Sequence, residues 1–523
     1  YTPEVLTKSL VKYTLREKLG ADLEKVSADD ILKLTVCEPA MGSAAFLNEA
    51  VNQLAEAYLV KKQSELNQRI EMKDYQHELQ TVKMHIADHN VFGVDLNSIA
   101  VELAEVSLWL NSINGSNQVP WFGYQLFNGN SLIGARRQVY DEKQIKTKVK
   151  ADKWFNFAPR RLAPESLARK KSDRANTEVY HFLLPDPDMA NVTDRDAKAL
   201  KPEKFETIKN WRKGFLSNLE AWEIETLQQF SDVIDELWSQ HVQTLRADRA
   251  RTEDQFKIWG QESKGQTTTT AAKDEIHATG IFNHDAPIAT PYHRLKLVMD
   301  YWCALWFWPI EQADLLPDRA TWMMELKLVL ESEVYDFHQP EQSGFDFDAR
   351  VVETQPALTG FEKPQHDLFG DDQLSLTVQE EKLSQVLTAK GELHLPSLYK
   401  QHPRLQLVKE LADKFKFFHW ELTFADIFAD RGGFDVMLGN PPWLKVEWNE
   451  GGVLGDYNPE FLIKNFSATK LRERRKQEFE AKPVLENAWF TELEEAEGTQ
   501  NFLNAYQNYP ELKGIQTNLY KCF

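Results

Sequence analysis

The chain has 523 residues, 42% of them hydrophobic and 11% aromatic, which is ample for a sizeable core and for roughly two to four domains. Its net charge of −19 argues against a protein that coats DNA, because such proteins carry a basic surplus, but it leaves room for a local basic cleft. Three cysteines without a CxxC spacing exclude a disulfide scaffold and a cysteine-rich zinc site, and they favour a reducing, cytoplasmic compartment. The sequence contains no apolar run long enough to span a bilayer.

The first 110 residues alternate helical and strand patterns. Thr2 fits a helix N-cap and Pro3 a first helical position, ahead of a helical pattern that reaches Leu15. "LKLTVCEPA" (Leu32–Ala40) predicts a buried strand, and a helix follows from Ser43. "VFGVD" (91–95) predicts a second strand that ends in an acid, again followed by a helix.

Two further strands complete the pattern. "YQLFNGNS" (124–131) predicts a third strand with a turn, and "FDVML" (434–438) predicts a fourth. Because strands alternate with helices, we expect an α/β fold with a doubly wound, mostly parallel, Rossmann-like sheet.

Between the third and fourth strands lies a long segment that we interpret as a mainly helical insertion. It contains helical patterns over 205–245 and 295–330. Two polar stretches, 265–275 and 353–373, predict mobile loops. The predicted organisation is 1–135 for the first part of the sheet domain, 136–414 for the insertion and 415–523 for the second part. We expect a fragment, since the chain begins at Tyr1 and ends soon after the fourth strand.

The turn after the first strand, "EPAMGSAAF" (38–46), is rich in small residues. Such a turn before a helix lets a ligand approach the backbone and the free N–H groups of the helix end. The turn has neither a GxGxxG nor a Gly-Lys-Ser/Thr pattern, which disfavours phosphate binding. Asp95 ends the next strand, where an acid can accept hydrogen bonds from a ribose diol. The alternatives are an ordinary small-residue turn and a helix-capping aspartate.

The fourth strand runs into Gly439-Asn440-Pro441-Pro442-Trp443. The two prolines stiffen the turn and keep Asn440 out of a helix. The turn can therefore aim the Asn440 amide oxygen and the Pro441 carbonyl at one point, where two acceptors suit an –NH₂ donor. Trp443 offers a face for a heteroaromatic ring. The alternative is a plain Pro-Pro turn with a tryptophan in the core.

These turns occur in the order 38–43, 93–95, 129–132 and 440–443. Together they resemble the S-adenosylmethionine-dependent DNA adenine-N6 methyltransferases, especially the large methylases of type IIG restriction–modification systems and of the BREX and DISARM phage-defence systems. With "YTPEVLTKSLV" (1–11) first, the order resembles the gamma arrangement. The resemblance covers about 1–135 and 415–523.

The resemblance implies a role for each turn. Thr2 and the first turn would hold the methionine part of the cofactor, Asp95 would bind its ribose, and Leu96 and Asn130 would lie against its adenine. Asn440 and Pro441 would accept hydrogen bonds from the amino group of a flipped adenine, with Trp443 stacked on that base. The implied partners are double-stranded DNA and other subunits of a defence system, and neither a metal nor a covalent nucleophile is required. The implied catalytic residues are Asn440, Pro441, Pro442 and Trp443, and the implied cofactor residues are Thr2, Glu38, Pro39, Ala40, Gly42, Ser43, Asp95, Leu96 and Asn130.

Three positions depart from the family pattern. Ala44 replaces a usual second glycine, which is tolerable if φ there is negative, and Glu38 and Asn130 each replace a usual aspartate. A weakened cofactor-binding scaffold of a defence complex is therefore one alternative. A protein-glutamine methyltransferase is another, since an amide –NH₂ needs the same two acceptors.

A nuclease is the remaining alternative. "PDRATWMMELK" (317–327) matches a PD…ExK metal site only superficially, because its composition predicts a helix. Basic residues near 160, 170 and 471–477 suit DNA phosphates, but such runs are more often solvated helix faces. They are Arg160, Arg161, Lys170, Lys171 and the run "LRERRKQ" (471–477). We interpret His419-Trp420 as packing residues.

Overall fold

The structure of the protein is a computed structural model. It describes residues 2–113, 119–164, 172–261, 267–283, 285–332, 386–464, 466–515 and 518–523. The predicted loop at 353–373, together with Lys170 and Lys171, lies outside the described residues.

Helices dominate the described residues, and the strands are short. The α-helices are α1 (Glu4–Leu19), α2 (Ala28–Ile31), α3 (Ala45–Leu66), α4 (Tyr75–His89), α5 (Ser98–Ser112), α6 (Glu142–Lys146), α7 (Arg195–Leu200), α8 (Pro202–Phe215), α9 (Ala221–Thr252), α10 (Thr270–Thr279), α11 (Pro291–Ala304), α12 (Arg319–Glu331), α13 (Leu395–Gln401), α14 (Pro403–Phe415), α15 (Trp420–Thr423), α16 (Ala425–Arg431), α17 (Glu450–Tyr457), α18 (Glu460–Ile463), α19 (Ala468–Ala481), α20 (Pro483–Asn504) and α21 (Leu519–Cys522). The strands are β1 (Val36–Glu38), β2 (Val91–Asp95), β3 (Leu126–Asn128), β4 (Gln138–Tyr140), β5 (Arg160–Arg161), β6 (Val179–Tyr180) and β7 (Val436–Met437).

The main sheet has the order β3-β2-β1-β7, and every neighbouring pair is parallel. Val36 of β1 pairs with Val91 on one side and with Val436 on the other. The chain therefore adds strands outward from β1 to β3, then returns to place β7 on the opposite side of β1. In open α/β sheets, ligands bind at the carboxyl end of such a reversal. The four-stranded parallel sheet agrees with the predicted α/β fold.

Two apolar layers cover this sheet. On one face, the helices α1, α3, α4 and α5 pack through a cluster that includes Leu15, Leu47 and Leu108. On the other face, Phe92 packs with Phe424 of the α15–α16 segment. Because both faces of the sheet are covered, the strand ends are the part of the sheet that a ligand can reach.

A second hydrophobic core lies in the helical body, which we define as the elements from β4 to α14 together with α19 and α20. Trp302 and Trp306 of this core both contact Phe502 of α20. Part of 415–523 therefore packs with the predicted insertion rather than with the sheet. Its boundaries as an insertion stay a prediction.

Several local predictions need correction. Helix α1 begins at Glu4 with Pro3 at its N-cap and no side-chain cap, so Thr2 lies one residue too early to cap it. Residues 270–275, predicted as part of a mobile loop, belong to α10, because the Thr269 hydroxyl accepts the Ala272 N–H at the N-cap. The helical body also contains a small antiparallel sheet, β5-β4-β6, whose strands of two or three residues are too short to show periodicity.

Over the residues that the structure describes, no helix combines the length and the apolar character needed to cross a membrane.

Candidate functional site

The carboxyl ends of the four parallel strands surround one cavity of about 300 Å³. Each strand contributes the turn that follows it. The lining residues are Pro39, Ala40, Gly42, Asp95, Leu96, Gly129, Ser131, Asn440 and Pro442. The fold therefore brings together turns that lie as far apart in sequence as Pro39 and Pro442.

The turn after β1 leaves open space beside its backbone on one side of the cavity. Gly42 has φ +52°, and a Cβ atom built there would meet no atom within 4 Å. This open space beside the backbone is the room that a ligand needs for close approach. Ala44 follows in the left-handed region, with φ 61° and ψ 38°. The condition under which alanine would be tolerated there, a negative φ, is therefore not met, and Ala44 carries backbone strain.

Glu38 lies beneath this turn and does not line the cavity. Its carboxylate is 2% exposed and accepts the Leu47 N–H at the start of α3 at 3.3 Å. Burial raises the pKa of Glu38 well above its usual value, and the nearby charge of Asp95 raises it further. Glu38 thus satisfies a free N–H of the helix end, so the geometry gives it a supporting position rather than a ligand contact.

Asp95 connects two of the turns. Its Oδ2 accepts the Gly42 N–H at 2.8 Å, and its Oδ1 accepts the Asn97 N–H at 2.9 Å. Asn97, rather than Asp95, is the N-cap of α5. A carboxylate offers about four lone-pair sites, so Asp95 can still accept hydrogen bonds from a diol in the cavity.

The turn after β3 is held by hydrogen bonds that sequence reasoning did not assign. Ser131 Oγ donates to the Pro39 carbonyl, which ties this turn to the turn after β1. Asn130 Oδ1 accepts the Leu132 N–H at 3.1 Å, and its own N–H donates to the Lys416 carbonyl at 2.7 Å. Gly129 and Ser131 line the cavity, whereas Asn130 does not. Gly129 and Ser131 lie on either side of Asn130 in the predicted turn of 124–131, so the pattern that pointed to Asn130 could also have pointed to them.

The turn after β7 leaves its strand at Gly439, where φ is +154°. Residues other than glycine rarely adopt this positive φ. The backbone therefore leaves the extended conformation at Gly439, and the apolar strand stops there. Asn440 Nδ2 then donates to Thr2 Oγ1 at 3.2 Å, an orientation that directs its oxygen the other way. That oxygen accepts the Trp443 indole N–H at 3.1 Å. Trp443 is 71% exposed, so the alternative of a core tryptophan is wrong.

The predicted site residues divide into two groups. The cavity lining contains Pro39, Ala40, Gly42, Asp95, Leu96, Asn440 and Pro442, and lacks Thr2, Glu38, Ser43, Asn130, Pro441 and Trp443. Thr2 reaches the site through Asn440 rather than through the first turn. The roles that the resemblance implies for these residues stay predictions.

Two larger cavities, of about 650 and 500 Å³, lie in the helical body near Tyr399 and Lys409. Neither reaches the strand ends. Position at the sheet reversal, rather than size, selects the smaller cavity as the candidate site.

The residues of the nuclease alternative have structural partners. Asp318 caps α12 by accepting the Thr321 N–H at 2.7 Å. Glu325 is buried, accepts a hydrogen bond from the Tyr301 hydroxyl and pairs with Arg404, both at 2.6 Å. Across the described ranges, no group of three His, Cys, Asp or Glu side chains could hold a metal ion.

The basic residues that were considered for DNA contact are partly engaged. Arg475 is 4% exposed and pairs with Asp196 and Glu450. Arg160 pairs with Asp173 and Glu178. Both arginines are therefore held in ion pairs with carboxylates of the protein itself.

Comparison with known proteins bears on this site. Residues 366–478, which contain the Asn440–Trp443 turn, match the family described as "Eco57I restriction-modification methylase". A Methanocaldococcus jannaschii protein named "Putative type II restriction enzyme and methyltransferase" is 34% identical over 115 residues. The resemblance to restriction–modification methyltransferases is confirmed. The match to this relative covers 20% of this chain and 9% of the relative, so it spans only a small part of either protein.

Proposed function

We propose that the protein is an S-adenosylmethionine-dependent DNA adenine-N6 methyltransferase of a restriction–modification or phage-defence system, with its turns in gamma order. One observation carries the proposal. Asp95, suited to a ribose, and Asn440, suited to an amino group, line the same cavity of about 300 Å³. A methyl donor and a methyl acceptor must meet in one place, and this cavity brings the two kinds of contact together.

The first half of the cavity fits the cofactor. The space beside Gly42 admits the methionine part next to backbone, and the Asp95 carboxylate has acceptor capacity left for a ribose diol. Leu96 gives the cavity an apolar wall for the adenine. When bound, the cofactor would supply the methyl group.

The second half fits the base that receives the methyl group. The Asn440 amide oxygen and the Pro441 carbonyl are acceptors, and Pro441 has no N–H to compete. The Trp443 indole, 71% exposed, offers a stacking face worth ~1–3 kcal/mol per base. Since a paired amino group inside a duplex cannot reach this cavity, the adenine must be flipped out.

The chain's own contribution to rate would be alignment and electrostatics. Asn440 would hold the amino nitrogen in line with the methyl group, which converts an encounter into a unimolecular step. Its amide oxygen would also stabilise the positive charge that develops on that nitrogen. Thr2 fixes the orientation of the amide by accepting its N–H.

One observation favours a second candidate, a cofactor-binding scaffold with weakened catalysis. Ala44 lies in the left-handed region, where the family usually has glycine. Strain at this position raises the cost of shaping the cofactor turn. The scaffold candidate predicts cofactor binding without methyl transfer.

The decisive experiment is tritium transfer from labelled S-adenosylmethionine to DNA, with wild type, Asn440→Ala and Asn449→Ala, each also titrated with the cofactor by calorimetry. We expect Asn440→Ala to lose about 10²–10³-fold or more in methylation while keeping cofactor affinity, as for other lost electrostatic contacts to a transition state. Asn449→Ala is the matched control, because Asn449 caps α17 and does not line the cavity. Normal methylation of adenine by Asn440→Ala would refute the role of this turn.

A further inference from the structure

Two groups of the protein occupy the contacts that the proposed base would make. The Trp443 indole N–H donates to Asn440 Oδ1 at 3.1 Å. The ring of Tyr520 stacks on Trp443 with a centroid distance of 4.9 Å and an interplanar angle of 21°. The first contact places an N–H donor on the acceptor meant for the amino group. The second places an aromatic ring on the stacking face.

Hydrophobic burial does not explain this pair. Trp443 is 71% exposed and Tyr520 is 37% exposed, so both rings lie at the surface. The segment that carries Tyr520 is joined to the turn by the Leu519 N–H, which donates to the Leu444 carbonyl at 2.9 Å, and its Leu519 and Cys522 side chains pack against the core of the helical body. Because neither ring belongs to the buried core, the two rings can separate without unpacking that core.

The stacking of Tyr520 on Trp443 leaves no space for a base between the two rings. At 4.9 Å between centroids, the two rings are in contact, and no base can enter between them. A base that stacks on this face of Trp443 must first displace Tyr520. An amino group that binds Asn440 Oδ1 must likewise displace or share with the indole N–H.

We propose that Tyr520 is a residue of the base site, which covers Trp443 in the free protein and is exchanged for the flipped adenine. This inference rests on the proposed function. In this exchange the adenine ring replaces the Tyr520 ring, and the adenine amino group replaces the Trp443 indole N–H as donor to Asn440 Oδ1. The contacts of the free protein are therefore of the same kind as those proposed for the bound base. Tyr520 therefore competes with DNA for Trp443.

The test is steady-state methylation by the full-length protein, with duplex DNA whose target adenine is paired or placed opposite an abasic site. Tyr520→Ala is expected to lower KM for both DNAs by about two- to tenfold, the range that an aromatic pair contributes, and to raise kcat/KM. Tyr520→Phe keeps the stacking ring and is expected to retain most of the wild-type KM. Tyr457→Ala, at an exposed tyrosine on α17, is the matched control and is expected to behave as wild type.

A fluorescence measurement separates base exchange from indirect effects. With 2-aminopurine at the target position, Tyr520→Ala is expected to reach its flipped-base signal at a lower protein concentration than wild type. A higher KM or an unchanged KM in Tyr520→Ala would overturn the role of Tyr520. If the wild type transfers no methyl group, the proposed function and this inference fail together. If the wild type methylates DNA but Tyr520→Ala does not lower KM, this inference alone fails.

Discussion

The strand-end cavity and the helical body handle polar groups in opposite ways. In the helical body, buried ionisable groups pair with neighbouring side chains, as Asp300 does by accepting a hydrogen bond from Lys296 at 2.6 Å and contacting His419, which follows α14, at 2.9 Å. At the cavity, Asp95 and Asn440 line an accessible surface and hold hydrogen bonds that leave acceptor capacity free. The groups most removed from water are therefore structural, and the candidate chemistry lies where the strands end.

Large pKa shifts in the helical body belong to buried groups that lie away from the cavity. Burial lowers the pKa of His181 to about 3 and that of His241 to about 4, and it raises the pKa of Asp186 to about 7. All three side chains lie outside the cavity lining. Perturbed titration is often used to find catalytic residues, but here it marks packing. Methyl transfer to an amino group, as proposed, depends on alignment more than on a titrating side chain.

The largest expected effect tests the structural side of this comparison. Glu325→Ala would leave Arg404 without its carboxylate and Tyr301 without its acceptor. We expect a loss of about 3–5 kcal/mol in the free energy of unfolding, as for other broken buried pairs. Denaturant unfolding measures it. Glu331→Ala is the control, since Glu331 lies on the same helix in a looser pair with Lys327 and should cost under about 1 kcal/mol. A metal-dependent nuclease activity that this variant lost would contradict the structural reading.

The next effect is a pH dependence in the helical body. The pKa of Asp186 is raised to about 7, so its protonated form favours folding; that contribution is complete below 3.8 and is lost as pH rises through about 7. Asp186→Asn cannot ionise, and its amide can still accept the Asp188 N–H. We expect the variant to gain about 2–4 kcal/mol over wild type between pH 4 and pH 8.

Denaturant unfolding across this pH range, with Asp74→Asn at an exposed carboxylate as the control, gives the difference directly. A gain that does not grow with pH would show that Asp186 is not the group responsible.

The cavity side is tested by Asp95→Ala. The variant removes the carboxylate that would bind a ribose, so we expect cofactor affinity to fall by about 10- to 100-fold, as for a lost charged hydrogen bond. Calorimetric titration measures the change. Asn97→Ala is the control, because it removes the cap of α5 in the same turn but leaves Asp95 in place. Equal losses in both variants would mean that turn stability, rather than Asp95, governs affinity.

The smallest effect is expected at Ala44. Ala44→Gly relieves about 1–2 kcal/mol of left-handed strain, but it loses a buried methyl worth about 0.8 kcal/mol and gains about 0.5–1 kcal/mol of unfolded-state entropy. We therefore expect a net change in stability under about 1 kcal/mol and a cofactor affinity equal to or above that of wild type. A clear fall in affinity would show that the Ala44 methyl supports the cavity. Thermal unfolding and calorimetry check the two quantities.

The sequence by itself determined the local plan of the site. Each predicted strand runs into a turn of glycine, asparagine, aspartate or proline, and these residues favour turns for local reasons, so their positions at strand ends could be inferred. The resemblance to restriction–modification methyltransferases rests on the same turns and is confirmed.

Only the tertiary structure decided how those turns are used. Val36 pairs with Val436, and such a pairing across the chain depends on global packing. Glu38 is directed into α3 rather than into the cavity, Ala44 takes a positive φ, and Tyr520 covers Trp443. Burial, backbone strain and contacts between distant segments arise when elements meet in space, so no local pattern in the sequence can reveal them.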